Sequence, residues 1–153
     1  MDIGDLEDFI VAAKAASYIG GGQPAEPSRP GAHDLTYALG AWRYRDSYFG
    51  GTDFPGQEVV WLAEEPVWAM NYFGYILRPD LFDGARAGET VKAALAAMYA
   101  EGRFLGGFSW QGPHGLYRDE SSGDVTRFHG REVIIAGGVD VYALDYCGGL
   151  IKP

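Results

Sequence analysis

The chain has 153 residues, a formal net charge of −9 and a pI of about 4.6. With 47% hydrophobic residues it can bury a sizeable core, and its length predicts one domain over residues 1–153. Because affinity for nucleic acid comes mainly from cationic contacts with phosphate, we expect no nucleic-acid binding through this chain alone. No apolar run approaches the length of a membrane span, so no membrane association is expected.

Cysteine and histidine usage restricts the expected location and cofactors. Cys147 is the only cysteine, so no intrachain disulfide can form. The segment Met1–Asp5 is acidic and lacks the basic start and apolar run of a signal peptide. Both features predict a cytoplasmic location. The three histidines do not have the spacing of metal ligands, so we expect neither a metal nor a cofactor. They are His33, His114 and His129.

The first part of the chain predicts one helix followed by four strands. Apolar residues at helical spacing indicate an amphipathic helix over residues 5–17, with Asp5 as its N-cap. A loop rich in glycine and proline follows at 20–32. Alternating apolar and polar residues then predict four strands, the last two joined by a turn at Glu64-Glu65. These strands are 34–39, 42–49, 57–63 and 66–76.

The second part predicts a helix over residues 89–100, ended by Gly102, and then four more strands. Turns are expected at Ser121–Gly123 and at Gly137-Gly138. The strands lie near 104–110, 115–119, 124–136 and 139–147.

Two stretches of the chain resemble each other. Phe54–Gly74 and Phe128–Gly148 align without a gap at an offset of 74, and eight of 21 positions are identical. Roughly one or two identities are expected by chance. We therefore predict an α+β fold built by internal duplication of a helix plus about four antiparallel strands. The half-repeats, about 5–77 and 89–151, are expected to form one pseudo-twofold symmetric domain, because a half this small would bury too little surface alone.

Several motifs resemble a bacterial family that is catalogued only as a domain of unknown function. They include Trp68-Ala69-Met70-Asn71-Tyr72-Phe73-Gly74, Asp46–Gly50, Gly56–Trp61 and Tyr142–Ile151. The resemblance covers nearly the whole chain. Members of this family occur alone or fused behind an Xre-type helix-turn-helix, which this chain lacks. The resemblance implies no established activity.

The expected hairpin register places the polar residues of these stretches. A turn at Glu64-Glu65 puts Glu58 opposite Asn71, on a face shared with Val60. In the second stretch Glu132 falls on the same face as Asp145. Both faces of each hairpin are apolar, so we expect both to be covered.

Glu58 and Glu132 are carboxylates in otherwise apolar strands. In an apolar pocket the pKa of such a group rises, and the group can act as an acid or base or bind a cation. Alternatively, each glutamate hydrogen-bonds the nearby loop backbone. Aromatic residues close to them could line the pocket or simply form the core. The candidate ligand-binding residues are Glu58, Trp68, Asn71, Glu132, Tyr142, Asp145 and Tyr146.

The predicted pairing of Glu132 with Asp145 suggests an asymmetric site. Two carboxylates at cross-strand distance repel each other, so one would hold its proton, or a cation would lie between them. The cation could be Arg131, Arg118 or a ligand amine. Alternatively, Asp145 caps the turn at Gly148-Gly149.

Three functions remain open from the sequence. The first is an effector-type binding module for a small neutral or cationic aromatic molecule, similar in plan to the effector-binding domains of bacterial transcription regulators. The second is a small hydrolase or isomerase that uses Glu58 or Glu132 as acid or base. The third is an interaction module that forms a homodimer through an exposed sheet face.

Overall fold

The computed structural model describes residues 1–153 and contains one nine-stranded antiparallel sheet and two α-helices. The helices are α1 (Ile3–Lys14), which continues into a π-helical turn (Ala15–Ile19), and α2 (Gly84–Ala100). The first five strands are β1 (Gln23–Pro24), β2 (His33–Leu39), β3 (Trp42–Tyr48), β4 (Phe54–Leu62) and β5 (Glu65–Ile76). The other four are β6 (Phe108–Gln111), β7 (Leu116–Asp124), β8 (Arg127–Ala136) and β9 (Val139–Leu150).

The predicted duplication of a helix plus four strands is wrong as a description of the fold. The strand order is β1-β2-β3-β4-β5-β9-β8-β7-β6, a single sheet with five strands before α2 and four after it. β5 and β9 pair along nine residue pairs, with Tyr72 opposite Tyr146. Each of these strands would otherwise leave a row of backbone donors and acceptors unpaired, and their pairing merges all strands into one sheet.

Both helices lie on one face of this sheet, which we call the inner face. α1 buries Leu6, Phe9 and Ile10, and α2 buries Val91, Ala94 and Met98. Trp68, Ile134 and Tyr142 supply the sheet side of the same hydrophobic core. Neither helix is long and apolar enough to cross a membrane.

The helix starts differ from the prediction because the capping residues lie further upstream. The side chain of Asp2, rather than Asp5, accepts hydrogen bonds from the backbone N–H groups of Gly4 and Asp5. α2 begins at Gly84, where the side chain of Asp83 accepts from the N–H of Arg86. An acidic side chain that accepts these otherwise unpaired N–H groups defines the first turn of a helix.

The hairpin register also differs from the prediction. The β4–β5 turn is Ala63-Glu64, with φ values of 48° and 72°, and the pairing shifts by one residue after Val60. Glu58 therefore lies opposite Met70, not Asn71. The β8–β9 hairpin turns at Gly137-Gly138 as predicted. It shifts in the same way after Ile134, which puts Glu132 opposite Leu144 and Arg131 opposite Asp145. A single extra residue moves every later side chain to the other face of the sheet.

The expected turn at Ser121–Gly123 is part of strand β7. The chain turns instead at Val125-Thr126, between β7 and β8. The side chain of Asp124 accepts a 2.9 Å hydrogen bond from the backbone N–H of Thr126 and stabilises that turn. Residues that often form turns can thus continue a strand when they have a paired neighbour.

The outer face of the sheet is largely open, contrary to the expectation that both faces are covered. Gln57, Asn71 and Asp145 are exposed on it, and Phe73 is 47% exposed. Only part of β2 and β3 is covered, where buried Asp34 accepts hydrogen bonds from the Ser28 N–H and the Ser47 hydroxyl.

Candidate functional site

A cavity of about 120 Å³ lies between the helices and the inner face of the sheet. Fourteen of its 19 lining residues are hydrophobic. The charged residues that line it are Lys14, Asp46, Glu58, Asp119 and Glu132. Seven of the ten tyrosines in the chain also line it, namely Tyr18, Tyr44, Tyr72, Tyr99, Tyr117, Tyr142 and Tyr146. An apolar cavity with a few convergent polar groups is the usual form of a small-molecule site.

Strand pairing brings the four carboxylates together as two cross-strand pairs. Asp46 lies opposite Glu58 in the β3–β4 ladder, and Asp119 lies opposite Glu132 in the β7–β8 ladder. All four residues are buried. Directly opposed residues have Cβ atoms only about 5 Å apart, so each pair concentrates negative charge in a place that water hardly reaches.

The ammonium group of Lys14 contacts the first pair, Asp46 and Glu58, through Glu58. Its Nζ atom lies 2.6 Å from Glu58 Oε2 and 2.8 Å from Oε1, and 5.4 Å from the centre of the Phe104 ring. Asp46 accepts a 2.7 Å hydrogen bond from the Tyr72 hydroxyl. Burial, together with the charge of Glu58, raises the pKa of Asp46 to about 7.

The second pair is surrounded by tyrosine hydroxyls instead. Tyr117 and Tyr142 donate to the two oxygens of Glu132 at 2.5 and 2.9 Å, and Tyr146 donates to Asp119 Oδ1 at 2.8 Å. Asp119 Oδ2 is buried and has no hydrogen-bond partner. Burial raises the pKa of Glu132 to about 7 and that of Asp119 to about 6. Burial also raises the pKa of each tyrosine, so the phenols remain protonated donors.

Two glycines let the tyrosines reach their aspartates. The ring of Tyr72 lies over Gly56 and that of Tyr146 over Gly130, and a Cβ atom on either glycine would overlap the ring. Each tyrosine crosses its neighbouring strand in this way and bonds to an aspartate one strand further on. A glycine inside a strand is typical where another group approaches the backbone closely.

The structure brings together four of the seven predicted ligand-binding residues. Glu58, Glu132, Tyr142 and Tyr146 line the cavity. Trp68 lies in the core outside the cavity lining, stacked on Phe128 at 5.8 Å, and its indole N–H donates to the backbone oxygen of Val125.

Asn71 and Asp145 lie on the outer face because of the register shift. Asn71 Oδ1 accepts from Gln57 at 2.9 Å, and Asp145 forms a 2.6 Å ion pair with Arg131. The predicted asymmetric site at Glu132 and Asp145 is therefore wrong. Of the alternatives considered, Arg131 is the cation that accompanies Asp145, on a solvated surface away from the cavity.

Residues 46–151 match the sequence profile of a family described as "Domain of unknown function (DUF5680)". The chain belongs to this family. The DUF5680 match includes all four cavity carboxylates, whereas Lys14 in α1 lies before it. The searches of curated proteins and of solved structures returned no match.

Sequence reasoning missed three polar residues of this DUF5680 cavity, although two signals pointed to them. Asp46 and Asp119 each end a Tyr-Arg-Asp triplet, which occurs twice in the chain. Lys14 falls four residues after Ile10, in line with the apolar stripe of α1. A lysine at such a position is buried only if it is paired, and the partner is Glu58.

The molecule has two other concave regions, of which one adjoins the cavity and the other is lined largely by outer-face residues such as Gln57. A hollow of about 220 Å³ adjoins the cavity and shares Asp46, Tyr72 and Tyr142 with it. A groove of about 1050 Å³ has a mostly polar lining that includes Arg29, Arg43 and Arg45. No group of three or more His, Cys, Asp and Glu residues is arranged to hold a metal ion.

Proposed function

We propose that this member of the DUF5680 family is an effector-type binding module, with a small neutral or cationic ligand in the inner-face cavity. The observation that supports this most strongly is the burial of four carboxylates and only one lysine around that space. Buried charges stabilise a fold less than apolar side chains of the same shape. A cavity that served packing alone would therefore gain stability by replacing them.

The size and walls of the cavity suit a small, partly apolar molecule. An engineered apolar cavity of about 150 Å³ holds benzene in another protein. Here the cavity is of comparable volume, and the adjoining hollow of about 220 Å³ would extend it. Tyrosine rings would contact an aromatic or cationic group of the ligand favourably.

We place this binding in the cytoplasm and connect it with regulation. The exposed, unpaired thiol of Cys147 supports a reducing compartment. The regulatory role extends the resemblance to a bacterial family with members fused behind Xre-type helix-turn-helix segments. In such a protein, a ligand that favours one conformation of the cavity would shift the conformational equilibrium of the attached helix-turn-helix segment.

Chemical-shift mapping of the ¹⁵N-labelled protein with benzylamine and with benzyl alcohol tests the proposal. We expect the shift changes to concentrate at cavity residues such as Glu132 and Tyr142, and to weaken in Glu132→Gln. Asp145→Asn is the matched control, because it neutralises a carboxylate on the outer face. Changes confined to the outer face, or none with either compound, would contradict a binding role for the cavity.

The hydrolase or isomerase alternative is favoured by one observation. Glu132 has a pKa of about 7 and lines the cavity, so it could exchange a proton near neutral pH. Incubation with a panel of small esters and lactones tests this function. Turnover that is lost in Glu132→Gln and kept in Asp145→Asn would establish it over simple binding.

A homodimer through the outer face is the remaining alternative, supported by Phe73, which is 47% exposed on a face without a covering layer. Analytical sedimentation of the wild-type chain and of Phe73→Lys distinguishes a homodimer from a monomer. A dimer that Phe73→Lys converts to a monomer would support this interface, whereas a monomeric wild type would exclude it at that concentration.

A further inference from the structure

The two carboxylate pairs of the cavity differ in whether a cation of the chain contacts them directly. The ammonium of Lys14 lies within 2.8 Å of both oxygens of Glu58, which faces Asp46. At the other pair, Asp119 is 4% exposed, lines the cavity and has one oxygen without a hydrogen-bond partner. A buried, unpaired carboxylate oxygen is costly unless something binds it.

No cation of the chain donates a hydrogen bond to Asp119 Oδ2. Arg103 is near enough for its charge to act on Asp119. However, its guanidinium donates to the Glu101 carboxylate and to the backbone oxygens of Leu105 and Gly107. Asp119 therefore receives its single hydrogen bond from Tyr146, through Oδ1 only.

We propose that the cavity binds an organic ammonium, a small primary amine with an apolar body, whose charged group lies at the Asp119–Glu132 pair and donates to Asp119 Oδ2. This inference rests on the proposed function, since it requires that the cavity holds a ligand. It adds the chemical class of the ligand and the position of its charge.

Lys14 shows how the protein itself holds such a group. Its ammonium combines two carboxylate contacts with a position 5.4 Å from the centre of the Phe104 ring. An –NH₃⁺ group has three donors and no acceptor, so it suits carboxylates and aromatic faces together. The Asp119–Glu132 pair offers carboxylates for the same kind of contact, with the hydroxyls of Tyr117 and Tyr142 bound to Glu132.

The charge of the lining selects against other ligands. An anion would meet four carboxylates, which repel it, and a single lysine, whose ammonium is already paired with Glu58. A neutral alcohol could fill the space but would leave the carboxylate without a counter-charge. An ammonium adds the attraction between opposite charges to its hydrogen bond, and this attraction is strong in a buried site, so an amine gains more than an alcohol of equal shape. Val91, Leu95 and Leu144 provide apolar wall for the rest of the molecule.

Calorimetric titration of the intact chain with benzylamine and its neutral isostere benzyl alcohol tests the inference. We expect the wild type to bind benzylamine at least about tenfold more tightly than benzyl alcohol. Asp119→Asn should lose this preference and bind both compounds alike. Asp145→Asn, which removes a carboxylate of the outer face, should keep it.

A second measurement does not depend on the folding of a variant. In the ¹³C-labelled wild type, benzylamine should shift the Asp119 carboxyl resonance and leave that of Asp145 unchanged. Equal binding of the two compounds would overturn the ammonium site while leaving the cavity as a binding site. No binding of either compound would overturn both proposals. A preference that survives in Asp119→Asn would also overturn the inference.

Discussion

Asp119 lies directly opposite Glu132 in the β7–β8 ladder, and both carboxyl groups are buried in the same cavity. Neighbouring carboxyl groups in a place that water hardly reaches cannot both ionise without cost, and burial raises the pKa of each. The charge state of the cavity is therefore linked to the stability of the fold.

The first prediction is that stability falls as the pH rises from about 4 to about 7. The pKa values of Asp46 and Glu132 are about 7 and that of Asp119 is about 6, all above their unfolded values. The folded chain thus binds more protons than the unfolded chain in this range. Each such carboxyl contributes a loss of about 1.4 kcal/mol per pH unit until its folded pKa is passed.

Urea unfolding at several pH values measures this dependence. Glu132→Gln should flatten the curve, because the amide cannot ionise, whereas Asp145→Asn on the outer face should leave it unchanged. A stability that rises through this pH range would contradict the assignment of raised pKa values to the cavity carboxyls.

The second prediction concerns Lys14. Lys14→Ala should lower the free energy of unfolding by roughly 3–5 kcal/mol, because it leaves Glu58 buried without its counter-charge. Lys92→Ala, at an exposed position of α2, should change it by less than about 0.5 kcal/mol. Ethylammonium chloride should restore part of the lost stability in Lys14→Ala but not in Lys92→Ala. Equal stability of the two variants would show that the ion pair is not needed.

The third prediction concerns the glycine beneath Tyr146. Gly130→Ala should destabilise the chain by roughly 1–3 kcal/mol, because the new methyl group overlaps the tyrosine ring and displaces its hydroxyl from Asp119. Gly88→Ala in α2 is the matched control, since its methyl group would meet no neighbour. That variant should gain up to about 1 kcal/mol from helix propensity. Thermal unfolding measures the stability of both variants. An unchanged stability in Gly130→Ala would contradict the position of the Tyr146 ring over this glycine.

The fourth prediction is that Trp68→Ala costs roughly 3–5 kcal/mol, because Trp68 is fully buried between Phe104 and Phe128. Trp110→Ala, at the edge strand β6 with 36% exposure, should cost less than about 1 kcal/mol. Denaturant unfolding followed by far-UV circular dichroism measures both. A small loss of unfolding free energy in Trp68→Ala would contradict the assignment of Trp68 to the core.

The sequence was sufficient to locate most helices and strands, because the spacing of apolar residues is a local property. It also indicated that Glu58 and Glu132 are unusual, since each interrupts an apolar strand. Both residues lie in the cavity. The start of α1 was misplaced because two aspartates, Asp2 and Asp5, could each cap it, and only the backbone geometry distinguishes them.

The sequence alone did not determine which residues share a face or which strands share a sheet. The one-residue shifts after Val60 and Ile134 put Asn71 and Asp145 on the outer face, although the alternation of residues fits either register equally well. The pairing of β5 with β9, and the meeting of Asp119 with Glu132 and of Lys14 with Glu58, join segments that are distant in the chain or lie on separate strands. Such contacts depend on how the whole sheet packs against the helices. Only the tertiary structure therefore decided that the four carboxylates line one cavity.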